Sequence, residues 1–173
     1  FALLGIGGSI VMPDPQGLRE PDHWHKLIVE HQVTIWNSVP ALMELLIDFV
    51  ESNALDLPAS LRLIMLSGDW IPVGLPERIQ KLLPTVTIIS MGGATEASIW
   101  SIYYPVNKVA PEWTSIPYGY PLANQTYYVL NSRMQSCPEW VTGELYIGGV
   151  GLSSGYWKDP DQTAQRYPVI DGK

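Results

Sequence analysis

The feature that most constrains this chain is the repeated switch between two hydrophobic periods over roughly its first hundred residues. "HWHKLIVEH", His23 to His31, has helical spacing and follows Pro21-Asp22, a helix-start signal. "VTIWNSV" then reads as a short buried strand. After Pro40, residues Leu42, Leu45, Leu46, Phe49 and Val50 occupy the i, i+3, i+4, i+7, i+8 positions of one helix face. "LRLIMLS" predicts the next strand, ending at Gly68. A helix from Leu75 to Leu83 follows, with Leu75, Ile79, Leu82 and Leu83 inward, and Pro84 closes it before the strand "VTIIS". Strands that are apolar on both faces, separated by segments long enough to cross over as helices, pair in parallel with helices packed on the sheet. The expected class is therefore α/β.

Beyond Pro105 the texture changes. "IPYGYPLANQTYYVLN" and "GELYIGGVGLSSGYW" are rich in Gly, Pro and aromatic residues, with short strands at "TYYVL" and "GELYIG" and no helix before "DPDQTAQRY". A boundary is expected between Pro105 and Pro111, giving an α/β subdomain over residues 1–108 and a smaller antiparallel, partly barrel-like subdomain over 109–173. At 173 residues and 46% hydrophobic content the chain can bury a real core. No apolar run approaches the roughly eighteen residues of a membrane span, which argues against a membrane partner. The net charge of −7, without any Lys/Arg cluster, argues against a nucleic-acid footprint. Cys137 is the sole cysteine, so an internal disulfide and a multi-cysteine zinc site are excluded, and a cytoplasmic setting is expected. The chain opens on "FALLGIGG" without an initiator Met and closes on "VIDGK" in what reads as mid-turn, so an excerpt of a longer protein is expected.

In open α/β sheets ligands gather at the carboxyl ends of strands. Three such ends carry small or polar residues: Asn37-Ser38, Ser67-Gly68, and Ser90 to Glu96. Other motifs carry less. Gly151-Leu152-Ser153-Ser154-Gly155 matches a nucleophile elbow, but no histidine follows His31 and "YWKDP" is a poor start for the required helix. "GIGGSI" and "GGVGLSSG" miss the dinucleotide fingerprint, and no Gly-Lys-Ser/Thr loop occurs. His23 and His25 are two apart, on different sides of a helix, and read as surface or partly packed residues. The stretch "SMGGATEASIWS" is richer. A glycine turn lets backbone approach a ligand closely, the Thr95 hydroxyl can donate to a phosphate oxygen, and Glu96 is a hard oxygen ligand suited to Mg²⁺. An ordinary turn in which Thr95 or Ser98 caps a helix fits the spacing equally well.

"GGATEAS", "IPYGYPLANQTYYVLN" and "GELYIGGVGLSSGYWKDPDQTAQRY" resemble the central motifs of adenylation domains of nonribosomal peptide synthetases, within the adenylate-forming superfamily. The resemblance implies an enzyme that binds ATP, Mg²⁺ and an amino acid. It would form an aminoacyl-adenylate with release of pyrophosphate, then pass the acyl group to the phosphopantetheine thiol of a carrier protein. Thr95 would contact phosphate and Glu96 would ligate Mg²⁺ as the catalytic pair. Ser67, Gly68, Ser90, Met91, Gly92, Gly93, Ala94 and Thr95 would line the nucleotide. Most relatives carry Tyr where this chain has Gly92 and proline where it has Ala94.

The amino-acid side chain would sit among Asn37, Met65, Ser67, Met91, Ile99 and Trp100, a set similar to that of cysteine-activating domains in siderophore and thiazoline-forming synthetases. Without the resemblance, those six read as residues capping a sheet. A lysine-bearing glycine-rich loop and an amine-binding aspartate are expected before Phe1, and a ribose-binding aspartate and mobile domain after Lys173. The 173 residues alone are expected to show no pyrophosphate exchange. Implied partners are the carrier protein and neighbouring condensation or cyclization domains. An acyl-CoA ligase and a non-catalytic α/β binding module remain alternatives.

Overall fold

A computed structural model describes residues 2–169, so the turn expected at 170–173 lies outside the described residues. The chain forms two compact units: residues 1–90 with 104–117, and residues 91–103 with 118–173.

In the first unit, α1 (Ala2–Gly5) and a 3₁₀ turn (Pro15–Gly17) precede α2 (Pro21–Glu30), β1 (Ile35–Ser38), α3 (Pro40–Ser52), β2 (Leu63–Ser67) and α4 (Leu75–Leu82). β3 (Thr87–Gly92) and β4 (Ile102–Pro105) each contribute residues to both units. The strands lie in the order β1-β2-β3-β4. β1 and β2 run parallel, with Ile35 opposite Leu63 and Asn37 opposite Met65. Proline occupies one of the first two positions of α2, α3 and α4, where its preset φ suits the helix and its missing N–H removes no bond.

The core joins Trp24 and Ile28 of α2, Met43, Leu46, Ile47 and Val50 of α3, Ile64 and Leu66 of β2, Leu75 and Ile79 of α4, and Ile88 of β3. α2, α3 and α4 and strands β1, β2 and β3 fall within a few residues of expectation, whereas α1 and β4 were not expected. The face of α3 differs from expectation: Leu45 is 48% exposed, while Met43 and Ile47 are completely buried. Apolar residues at 42, 43, 45, 46, 47, 49 and 50 surround most of this helix, so two stripes fit the period, and contact with α2 and β2 selects one of them.

The segment 104–117 returns to the first unit, where Val106 and Ile116 are buried; the division expected at 108/109 falls inside it. The histidines take local partners. His23 accepts the Asp14 N–H at 3.1 Å, and the His25 ring bonds the Asp56 carbonyl at 2.8 Å. No cluster of three or more His, Cys, Asp or Glu gathers among the described residues.

The second unit is antiparallel. β4 pairs with β5 (Tyr120–Pro121), and β6 (Gln125–Leu130) pairs with β7 (Glu144–Gly149). α5 (Pro160–Arg166) is capped by Asp159, whose carboxylate accepts the Gln162 N–H at 2.9 Å. Among the described residues no helix is long and apolar enough to cross a membrane.

Candidate active site

The expected site residues fall in both units. In the first, register places Asn37 beside Met65, and alternation puts Ser67 on the same side of the sheet as Met65. That face is open or half-buried, whereas Ile64 and Leu66, which point the other way, are fully buried. Gly68 ends β2 at φ +89, a left-handed geometry that favours glycine, and its backbone is exposed. Ser90 alternates with Ile89 and lies on the Ile88 side of β3, buried. Trp36 donates its indole N–H to Ser38 Oγ at 2.7 Å, and Ser38 in turn bonds the Val39 carbonyl at 2.8 Å, so the Ser38 hydroxyl is committed to structure.

In the second unit Met91 and Gly92 end β3, and Gly93 turns the chain at φ +146. A Cβ on Gly93 would lie 2.5 Å from the Ile99 carbonyl and 2.8 Å from Ser101 Oγ, so only glycine lets residues 99–101 pack this closely. Residues Thr95–Ala97 form a 3₁₀ turn, with the Ala94 carbonyl accepting the N–H groups of Ala97 at 2.9 Å and Ile99 at 3.1 Å. No α-helix follows; the chain passes through left-handed Ser98 (φ 61) and Ile99 (φ 67). Thr95 and Ile99 are exposed, Glu96 and Trp100 half-buried. Ser101 is buried, its Oγ 2.6 Å from the Tyr127 hydroxyl, and burial pushes the Tyr127 phenol pKa up while that hydrogen bond draws it down.

Glu96 is held from the sixth decade of residues beyond it. The Tyr156 hydroxyl donates to its Oε1, and the Ser153 N–H donates to its carbonyl at 2.7 Å. The hydrogen bond from Tyr156 and one from its own backbone N–H draw the Glu96 carboxyl below the ordinary carboxylate value, against a smaller opposing effect of burial. The Tyr156 phenol is pushed up, first by that same bond and then by burial. Nothing in the sequence paired these residues. "GLSSGYW" reads as a family motif, but its contact with Glu96 has no local signature.

A second unexpected neighbour is Tyr118. A Cβ on Gly92 would lie 2.2 Å from Tyr118 Cε2, so the Tyr118 ring fills the space beside position 92. At the serine of the apparent nucleophile elbow, Ser153 Oγ lies 2.6 Å from the Tyr167 hydroxyl, a structural partnership with no imidazole in it.

The donor set fits Mg²⁺ better than a softer or more fully caged ion. Glu96 offers hard carboxylate oxygens, and no group of three or more His, Cys, Asp or Glu that could cage an ion gathers among the described residues. A cation held by one carboxylate and completed by substrate phosphates and water is the usual Mg²⁺ arrangement.

A helix-flanked parallel sheet that gives way to antiparallel strands, with a glycine-Thr-Glu turn after its third strand, defines the core of an adenylate-forming enzyme. The AMP-binding enzyme family matches residues 1–157, and the chain belongs to it. The anguibactin system regulator of Vibrio anguillarum is 48% identical over 172 residues, which is 99% of this chain and 16% of that protein. Bacitracin synthase 1 of Bacillus licheniformis is 50% identical over 167 residues, 96% of this chain and 3% of that protein. The crystal structure of the nonribosomal peptide synthetase FmoA3 superimposes with a TM-score of 0.93 at 42% identity, over 100% of this chain and 19% of that one. The same synthetase has been crystallised with AMPPNP and with α-methyl-L-serine-AMP, at TM-scores of 0.89 and 0.91 over 96% of this chain and 42% identity in both cases. The chain thus spans less than a fifth of the length of each of these relatives.

Proposed function

We propose that this chain forms part of an amino-acid-activating adenylation domain, which uses ATP to make an aminoacyl-adenylate and delivers the acyl group to a carrier-protein phosphopantetheine thiol. The observation that carries the reading is the Thr95-Glu96 turn at the end of β3, in a chain of the AMP-binding family. The bound adenylate of FmoA3 supports the same chemistry in a close structural relative.

Thr95 is exposed, and its hydroxyl donates to a phosphate oxygen in this reading. Gly93 is exposed, which lets its backbone approach the nucleotide. Glu96 would hold Mg²⁺, and the ion would supply neutralisation of phosphate charge during adenylation. Ser67, Gly68, Ser90, Met91, Gly92 and Ala94 are the further nucleotide-lining candidates, with the Tyr118 ring beside Gly92.

The substrate pocket proposed is Asn37, Met65, Ser67, Met91, Ile99 and Trp100, for L-cysteine. Its shared face of Asn37, Met65 and Ser67 supplies a polar amide, a soft thioether and a hydroxyl, compatible with a thiol. Discrimination against alanine or 2-aminobutyrate by shape alone is limited to about 1–3 kcal/mol. A cytoplasmic multidomain synthetase is the proposed setting.

The test uses the intact protein that contains this sequence. Glu96→Gln is expected to lower amino-acid-dependent pyrophosphate exchange about 10–100-fold, as for other losses at a metal site. Unchanged exchange overturns the reading. In the same assay L-cysteine is expected to outpace serine, alanine and 2-aminobutyrate; preference for an aliphatic acid with coenzyme A as acceptor would instead identify an acyl-CoA ligase.

A further inference from the structure

We infer that Tyr156 is a positioning residue for Glu96: its hydroxyl fixes one carboxylate oxygen so that the other is presented to the cation. This rests on the adenylation reading and adds a residue to it. The geometry begins at the carboxylate. Oε1 accepts from the Tyr156 hydroxyl, so Oε2 is the oxygen that this bond leaves to meet a metal. A carboxylate on an exposed turn otherwise rotates among rotamers, and a hydrogen bond to one oxygen removes that freedom.

The phenol can do this because it is itself fixed on several sides. The Tyr156 N–H donates to Thr163 Oγ1 at 2.9 Å, tying its backbone to α5. Its ring meets Tyr167 edge to face, centroids 5.9 Å apart, and Tyr167 is joined to Ser153 through their hydroxyls at 2.6 Å. Gly155 precedes it at φ +124, and a Cβ there would come within 2.5 Å of Thr163 Cγ2, so the loop reaches α5 only as glycine. Two further bonds hold loop and turn in register: Ser153 N–H to the Glu96 carbonyl at 2.7 Å, and Ser98 Oγ to the Gly151 carbonyl at 2.8 Å. The loop grips both the backbone and the side chain of Glu96.

The test is Tyr156→Phe in the intact protein, which keeps the ring and its edge contact and removes only the donor. Equilibrium binding of AMPPNP is titrated with Mg²⁺. The Mg²⁺ midpoint is expected to rise about tenfold or more, with nucleotide affinity in the absence of metal unchanged. In turnover, kcat is expected to fall while KM for the amino acid stays constant. Binding stoichiometry from the same titration gives the folded fraction, so partial loss of fold changes amplitude and leaves the midpoint readable.

A midpoint that stays at the wild-type value in Tyr156→Phe, while Glu96→Gln raises it, overturns the positioning role and leaves the adenylation reading standing. A midpoint unmoved by either variant overturns both.

Discussion

Gly92 is one of the two positions, with Ala94, where the resemblance to adenylation domains implies a different residue, and the structure gives a substitution there an energetic value. In Gly92→Ala the new Cβ would lie 2.2 Å from Tyr118 Cε2, 2.6 Å from Tyr118 Cζ and 2.8 Å from Ile102 Cγ2. Carbon atoms in ordinary contact sit about 3.5–4.0 Å apart, so the ring has to retreat by more than about 1 Å. Tyr118 is 46% exposed and can swing toward solvent, but in doing so it gives up its edge contact with Tyr127, centroids 6.2 Å apart. Such a contact contributes about 0.5–1.5 kcal/mol.

Ile102 has no such exit. It is 4% exposed, and crowding a buried side chain costs about 1–3 kcal/mol. Gly92 is not among the positive-φ positions, so alanine adopts its backbone without strain and regains about 0.4–1 kcal/mol by restricting the unfolded chain. Taken at the middle of each range, the balance is a local destabilisation of about 2 kcal/mol. A chain of more than one unit does not unfold in one step, so the fitting assay is amide hydrogen exchange at β3 and β4 in the intact protein. Exchange there is expected to quicken by about 30-fold. Adding Tyr118→Ala should recover the ring's share of that loss and leave the Ile102 share, a measurable coupling between neighbours. Exchange that is unchanged or slowed in Gly92→Ala would mean that the Tyr118 ring does not occupy the space over position 92, and the reasoning would fail.

The face of α3 supplies a sharper contrast. Leu46→Ala, at a completely buried site, is expected to cost about 2–5 kcal/mol, whereas Leu45→Ala, half-exposed one residue earlier, should stay within about 0.5 kcal/mol of wild type; denaturation midpoints of the first unit check both. Glu96 makes a prediction in pH. Because its folded pKa is lowered, the stabilisation from its contact with Tyr156 is complete above the ordinary carboxylate value and is lost as pH falls through the lowered one. The ¹³C shift of the Glu96 carboxyl should therefore titrate below the ordinary value, and Tyr156→Phe should move that titration upward; a titration that does not move would separate the lowered pKa from the tyrosine.

The elements that the sequence made legible are those whose signals are local. Proline at the start of α2, α3 and α4, and runs such as "LIML" at β2, settle type and position within a few residues, since neither depends on what lies across the fold. The face of α3 was not legible, because Leu45 and Met43 are equally apolar and only a packing partner distinguishes them. β4 and β5 were missed for a related reason. "IYYP" and "YP" are too short and too proline-rich to carry a period, and they become strands by pairing Ile102 with Pro121 and Tyr103 with Tyr120. At the site, Thr95 and Glu96 could be singled out by residue type, but the side chain that holds Glu96 stands sixty positions away in sequence, where no spacing rule reaches.

That distance is part of how the turn works. Ser98 and Ile99 take consecutive left-handed conformations, each disfavoured for an L-residue by about 1–2 kcal/mol, and Ile99 is β-branched, which makes it the more awkward of the two. Residues in such conformations persist only where their surroundings over-determine them. The local bonds, Ile99 N–H to the Ala94 carbonyl and Trp100 N–H to the Ser98 carbonyl, close the turn, but an isolated peptide with those two bonds would relax to a lower-energy shape. What prevents it is the segment 151–156. It takes the Ser98 hydroxyl on the Gly151 carbonyl, supplies the Ser153 N–H to Glu96, and caps the carboxylate with Tyr156. The strained turn and the loop that braces it form one device, so a substitution in 151–156 should be felt first as a change in the shape of residues 95–99, before any loss of the sheets that carry them.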